Sequence, residues 1–278
     1  LEATVDILEP PARRLRRLAI RLETEDFQCG WAGLRAIYQA AAAADPADSL
    51  VLHSWGIAAA HWMDDCHSPG APERMEIAEE AERILTKALD LAPKTPCIAH
   101  SLGLLFYNHP RRSTDEQGYL DKAICWFTQA VEWEPLLVIA QLYVAHCFHD
   151  LEDWARAISE YERVDLERLA DEWPAWRAFK CREQLAHCYA HLENDVEAFR
   201  RLSELLDEVE TMGEEAADEK IVNLDELVEA VMQMHDDKGL LLRAKALSQR
   251  LDWFEARYSA LYVLPPSSGR GIQGLPPP

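Results

Sequence analysis

Small residues recur at a fixed interval along this chain. Ala41 to Gly56 is 15 residues, Ala88 to Gly103 is 15, and Ala130 to Ala145 is 15. Apolar residues return with period 3.6 and almost never with period 2, which is the pattern of amphipathic helices and not of strands. One motif appears four times, as Trp55-Gly56-Ile57-Ala58, Leu102-Gly103-Leu104-Leu105, Val144-Ala145-His146-Cys147 and Leu185-Ala186-His187-Cys188. A second helix follows each, with small and large residues at set offsets: Ala81/Leu85/Ala88, Ala123/Phe127/Ala130, Ala157/Tyr161/Val164 and Ala198/Leu202/Leu205. Pro46, Pro93 and Pro135 each stand five residues after the last small position and close a unit. Ala123 to Ala157 is 34, one full period.

These residues and spacings resemble the tetratricopeptide repeat over residues 26–209. The resemblance implies an all-α chain, a right-handed superhelical solenoid of helix–turn–helix units with helical caps. About five units are expected within residues 1–209, capping helices within 210–264 and a disordered Pro/Gly tail at 265–278. The caps read as helices over 221–235 and 238–261, after an acidic linker. At the other end Leu15, Leu18, Ala19 and Leu22 form the apolar stripe of a first helix whose remaining surface is rich in arginine.

Departures from the family spacing locate the insertions. Ala145 to Ala157 and Ala186 to Ala198 are both 12, as in the family, with turns expected at 150–153 and 193–195. Gly56 to Ala81 is 25, Gly103 to Ala123 is 20, and Val164 to Ala186 is 22 where 15 is expected. Insertions are therefore predicted near 64–74, 109–118 and 166–174. Pro69, Gly70, Pro72, Pro110, Ser113 and Gly118 mark the first two as loops, with a helix starting at Ser113-Thr114-Asp115-Glu116.

Charge narrows the partners. With 28 Lys+Arg against 49 Asp+Glu, the net charge of −21 repels phosphates and argues against nucleic acid and anionic membranes. No apolar run reaches the length of a membrane span. Seven cysteines, without a Cys-x-x-Cys pair, suggest a reducing, cytoplasmic setting. The start Leu1-Glu2-Ala3 carries neither an initiator Met nor an apolar leader, so a fragment or processed form is expected.

The resemblance also implies where a partner would lie, because the family lines its concave groove with set first-helix positions. Carried onto this chain, the groove includes His53, His61, His100, Tyr107, His146, His149, Lys180, His187 and His191. Seven of the ten histidines fall on it. Three readings of that row stand together: metal ligation by the His187/His191 and His146/His149 pairs, a neutral ligand groove, or histidines satisfied by their neighbours. A Zn-peptidase motif is absent, because Cys188-Tyr189-Ala190 separates the last pair. The basic clamp by which some family members hold acidic chaperone tails is also missing, with His53, Ile57, Ser101, Ile139 and Tyr143 among the matching positions.

Nine tryptophans are present. Trp55, Trp126 and Trp154 read as core, whereas Trp173 and Trp176 are a candidate anchor or a plug in the third insertion. The Arg cluster at 13–21 reads as a solvated cap, with pairing to an acidic surface of a second chain left open. No nucleophile, phosphate-loop or dinucleotide motif is present, so no enzyme, cofactor or metal is expected. The expected function is a protein- or peptide-binding scaffold whose partner is basic or apolar. The alternative is a regulatory sensor that binds a small ligand, peptide or metal through the histidines.

Overall fold

The computed structural model describes residues 9–24, 30–65, 72–174 and 176–212, with the isolated positions Leu242, Ala246 and Gln249. Among the described residues every regular element is a helix: α1 (Pro11–Thr24), α2 (Gly30–Ala44), α3 (Ser49–Asp65), α4 (Pro72–Leu91), α5 (Pro96–Tyr107), a 3-10 turn (Arg112–Thr114), α6 (Glu116–Trp133), α7 (Val138–Asp150), α8 (Trp154–Tyr161), α9 (Leu166–Glu172), α10 (Trp176–His191) and α11 (Asp195–Met212). The chain divides into two compact units, Leu1–Val164 and Asp165–Pro278. The predicted cap at 221–235 and the tail at 265–278 lie outside the described residues. Within the predicted cap at 238–261, Leu242, Ala246 and Gln249 are helical.

In the first unit the helices pair as the register requires: α1 with α2, α3 with α4, α5 with α6, and α7 with α8. Close approach is what fixes glycine at two positions. A Cβ added to Gly56 would lie 2.5 Å from the Leu85 side chain, and one on Gly103 would lie 2.5 Å from the Phe127 ring. Those large residues come from the second helix of the same pair, so glycine in one helix and bulk in the other form a single contact. Tyr38, Leu85, Phe127 and Tyr161, at equivalent second-helix positions, are all buried.

Helix starts and stops follow local chemistry. Asp48 accepts from the Leu50 and Val51 amides, Asp115 from the Gly118 amide, and Asp153 from the Arg156 amide. Each carboxylate satisfies a donor that the helix start would otherwise orphan. Both predicted short turns are present, since α7 ends at Asp150 before α8 opens at Trp154, and α10 ends at His191 before α11 opens at Asp195. Each is closed by a glutamate in the left-handed region, Glu152 and Glu193, at φ 56°.

The insertions take three forms. Around the first, α3 runs on to Asp65 and α4 starts early at Pro72, so helix absorbs much of the added length; residues 66–71 lie outside the described set. The second, at 109–118, carries the 3-10 turn, which takes in Ser113 and Thr114, so α6 starts at Glu116 behind an Asp115 cap and later than the expected start at Ser113. The third contains a helix of its own, α9, which the spacing alone did not foretell.

Two expectations need correction. In α1 the fully buried residues are Ala12 and Ala19, with Leu15 and Leu22 packed beside them; Leu18 instead shares an arginine-lined surface with Arg14, Arg17 and Arg21. Of the three tryptophans read as core only Trp55 is buried, whereas Trp126 and Trp154 are half-buried.

Ala157 and Ala198 are fully buried. Ala157→Leu is expected to cost about 1–3 kcal/mol by overpacking, read as a lower denaturant midpoint with an unchanged slope. A loss below 0.5 kcal/mol would contradict the tight α7–α8 contact.

Candidate functional site

The first helices of consecutive pairs, α1, α3, α5 and α7, are joined side to side by polar and aromatic contacts from the residues the register selects. His61 of α3 binds Glu23 of α1, Nδ1 to Oε1 at 2.8 Å. His53 of α3 meets Ser101 of α5, Nε2 to Oγ at 3.0 Å, with Cys97 Sγ 4.0 Å from its other ring nitrogen. Ser101 also donates to the Cys97 carbonyl, so its hydroxyl is shared between two helices. Burial pushes the His53 pKa down, and the nearby Arg16 charge adds to that, which favours the neutral imidazole.

Between α5 and α7 the contacts become aromatic. His100 lies against the Phe127 and Tyr143 rings, with centroids 5.7 and 6.0 Å away. Tyr143 meets Tyr107 edge-on at 5.4 Å and His146 edge-on at 5.6 Å. His146 Nδ1 is 2.7 Å from the Tyr161 hydroxyl on α8. His149 packs edge-on against Trp154 and lies 3.5 Å from Asp150. Among the described residues, His53, His61, His100, His146 and His149 thus each touch a side chain of a neighbouring element.

Asp150 gathers the far end of the strip. It accepts from the Tyr107 hydroxyl at 2.8 Å and from Arg112 at 2.6 Å. Arg112 also donates to the Tyr107 carbonyl and to Glu116, and its guanidinium lies 4.7 Å from the Tyr107 ring centre. Burial opposes a charge on Asp150, yet hydrogen bonds from His149, Tyr107 and Arg112 outweigh it and hold the carboxyl at about 2. The second insertion is thereby fastened to the C-terminal end of α7. Next to it, His109 is buried and stacked 4.3 Å from Tyr119, and its Nδ1 accepts the Arg111 amide. Burial, then the Arg111 and Lys122 charges, push the His109 pKa down to about 4.

Neither Arg112 nor His109 was singled out in the sequence. Both lie in an insertion, where the repeat register assigns no position. Only the Asp, Tyr and His content of the flanking helix ends hinted that something polar docks there.

In the second unit, Lys180, His187 and His191 share α10. Lys180 pairs with the buried Glu183 at 3.2 Å. His187 and His191 stand with Nε2 atoms 3.3 Å apart. Two such imidazoles supply two metal ligands; among the described residues no group of three or more His, Cys, Asp or Glu side chains is placed to hold a metal. Trp173 is half-buried and Trp176 is exposed, with the Arg177 guanidinium 5.5 and 4.6 Å from their ring centres. Among the described residues no helix is long and apolar enough to cross a membrane.

No family model matches the chain. The human cell division cycle protein 16 homolog is 30% identical over 118 residues, a match covering 39% of this chain and 18% of that protein. The chain thus matches less than a fifth of the length of this curated relative. Among solved structures, the type IV pilus biogenesis factor PilW is 15% identical with a TM-score of 0.52, over 90% of this chain and 92% of PilW. MamA protein is 16% identical with a TM-score of 0.50, over 71% of this chain and 93% of MamA.

Proposed function

We infer, from a chain that belongs by fold and repeat register to the tetratricopeptide-repeat family, a protein-binding scaffold that holds a peptide segment along the strip formed by α3, α5 and α7. The observation that carries this reading is the side-to-side stitching of successive first helices. It fixes a firm surface and leaves part-exposed apolar groups between the polar stitches. Leu50 is 45% exposed, and Ile57, Ala60, Leu104 and Tyr107 are partly exposed. A firm surface lowers the ordering cost of binding, and the apolar groups supply burial. With a net charge of −21, a basic or apolar segment suits it better than an acidic one. The described cysteines, Cys97, Cys125, Cys147, Cys181 and Cys188, are free thiols, which suits a reducing compartment such as the cytoplasm.

Selection from a library of short random peptides tests this. The retained peptides should be basic or apolar, and the basic ones should weaken as salt rises from about 0.05 to 0.3 M. Ile57→Asp with Leu104→Asp should abolish retention while the helical circular dichroism is kept. Selection of acidic peptides, or unchanged retention by a folded variant, would overturn the reading.

A further inference from the structure

A cleft of about 630 Å³ lies in the first unit between the second helices α2 and α4 and the end of α3. Trp31 of α2 and Trp62 near the end of α3 wall one side, stacked with ring centres 6.2 Å apart and 24° between planes. Glu73, Glu76 and Glu79 from one side of α4 form an exposed rim. Glu80 is buried at the base and holds Arg35 at 3.0 Å. The lining thus carries four carboxylates against two guanidinium groups, Arg35 and Arg83.

We propose that this cleft receives an arginine side chain from a basic segment of a partner protein. An acidic helix face alone would be a solvated surface. Here the carboxylates border a cavity with an indole wall, and that combination selects among cations. A guanidinium is planar and weakly hydrated, so it stacks on indole and still presents a fork of donors to carboxylates. An ammonium offers a compact, strongly hydrated charge and matches the flat wall less well. The chain's own Arg111 reaches the outer rim, 3.5 Å from Glu79, with both side chains well exposed. The rim thus already accepts a guanidinium.

This inference is independent of peptide binding on the first-helix strip, because the cleft is lined from α2, α4 and Trp62 at the end of α3, and none of Leu50, Ile57, Ala60, Leu104 and Tyr107 lines it. The test is calorimetric binding of a blocked peptide holding two arginines in a Gly/Ser background, alongside matched lysine and citrulline peptides. The arginine peptide should bind, and the citrulline peptide should bind at least about tenfold more weakly, since it keeps the shape and loses the charge. Glu73→Lys with Glu76→Lys should weaken arginine-peptide binding by at least about tenfold. The exposed pair Glu167→Lys with Asp171→Lys makes the same change in net charge elsewhere and should alter it by less than about twofold. Ile57→Asp with Leu104→Asp should leave it unchanged, which separates the two sites. No binding of the arginine peptide, equal binding of the lysine or citrulline peptide, or an equal loss in the Glu167/Asp171 variant would overturn the proposal.

Discussion

Lowering the pH from 7 to 4 is expected to destabilise the first unit by about 3 kcal/mol through His109 alone. Its imidazole is buried against Tyr119 and Phe106 and held neutral, with a pKa of about 4 against an ordinary 6.5. The folded state therefore binds fewer protons there than the unfolded chain. That contribution is whole above pH 6.5 and drains away as the pH falls towards 4. Asp150 acts in a lower window and in the opposite chemical sense. Its carboxyl is held ionised at about 2 against an ordinary 3.8. It stabilises the fold by about 2 kcal/mol above pH 4, and this is lost as the pH falls through 2. Urea midpoints recorded from pH 7 to 4 should decline, and His109→Phe should flatten the decline. An equal slope in the variant would show that His109 does not titrate on unfolding.

The largest loss from a single side chain is expected at Phe127. The ring is fully buried, fills the space left by Gly103, and stacks 5.2 Å from Tyr143. Phe127→Ala should cost about 3–5 kcal/mol, combining lost burial with a cavity. Gly103→Ala alone should cost about 1–3 kcal/mol, because its methyl would strike the ring. Placed on Phe127→Ala, the same methyl enters the vacated space and its cost should disappear. A double-mutant cycle from denaturant unfolding checks this coupling. Additive losses would mean that the helices move apart instead of the ring yielding.

The contact between Gly103 and Phe127 is also the part of the fold most legible in the sequence. A small residue in one helix and a large one in the next, at a constant interval, is a direct record of helix approach. The same record placed Ala157 and Ala198 in the core and located the turns at Glu152 and Glu193. It could not say which way a wide side chain leans, so Trp126 and Trp154 were read as more buried than they are. The site was legible as positions and not as contacts. His53, His100 and Tyr107 could be assigned to one face by counting, but their partners Ser101, Tyr143 and Asp150 come from the next helix and depend on how neighbouring units sit. Segments without a register were the least legible. The spacing that revealed the third insertion assigned no structure within it, so α9 went unread, and nothing local to His109 or Arg112 distinguishes them from solvated loop residues.

A stacked array is held by one kind of joint, the interface between each pair and the next, and its cooperativity is only as strong as that joint. The bond from Arg112 to Asp150 adds a second joint at the third interface, made by the loop that departs from the repeat. Opening the third pair would then break contacts to the fourth that a plain repeat does not have. An irregularity in the repeat thus adds a tie between these two pairs that the repeat itself does not supply.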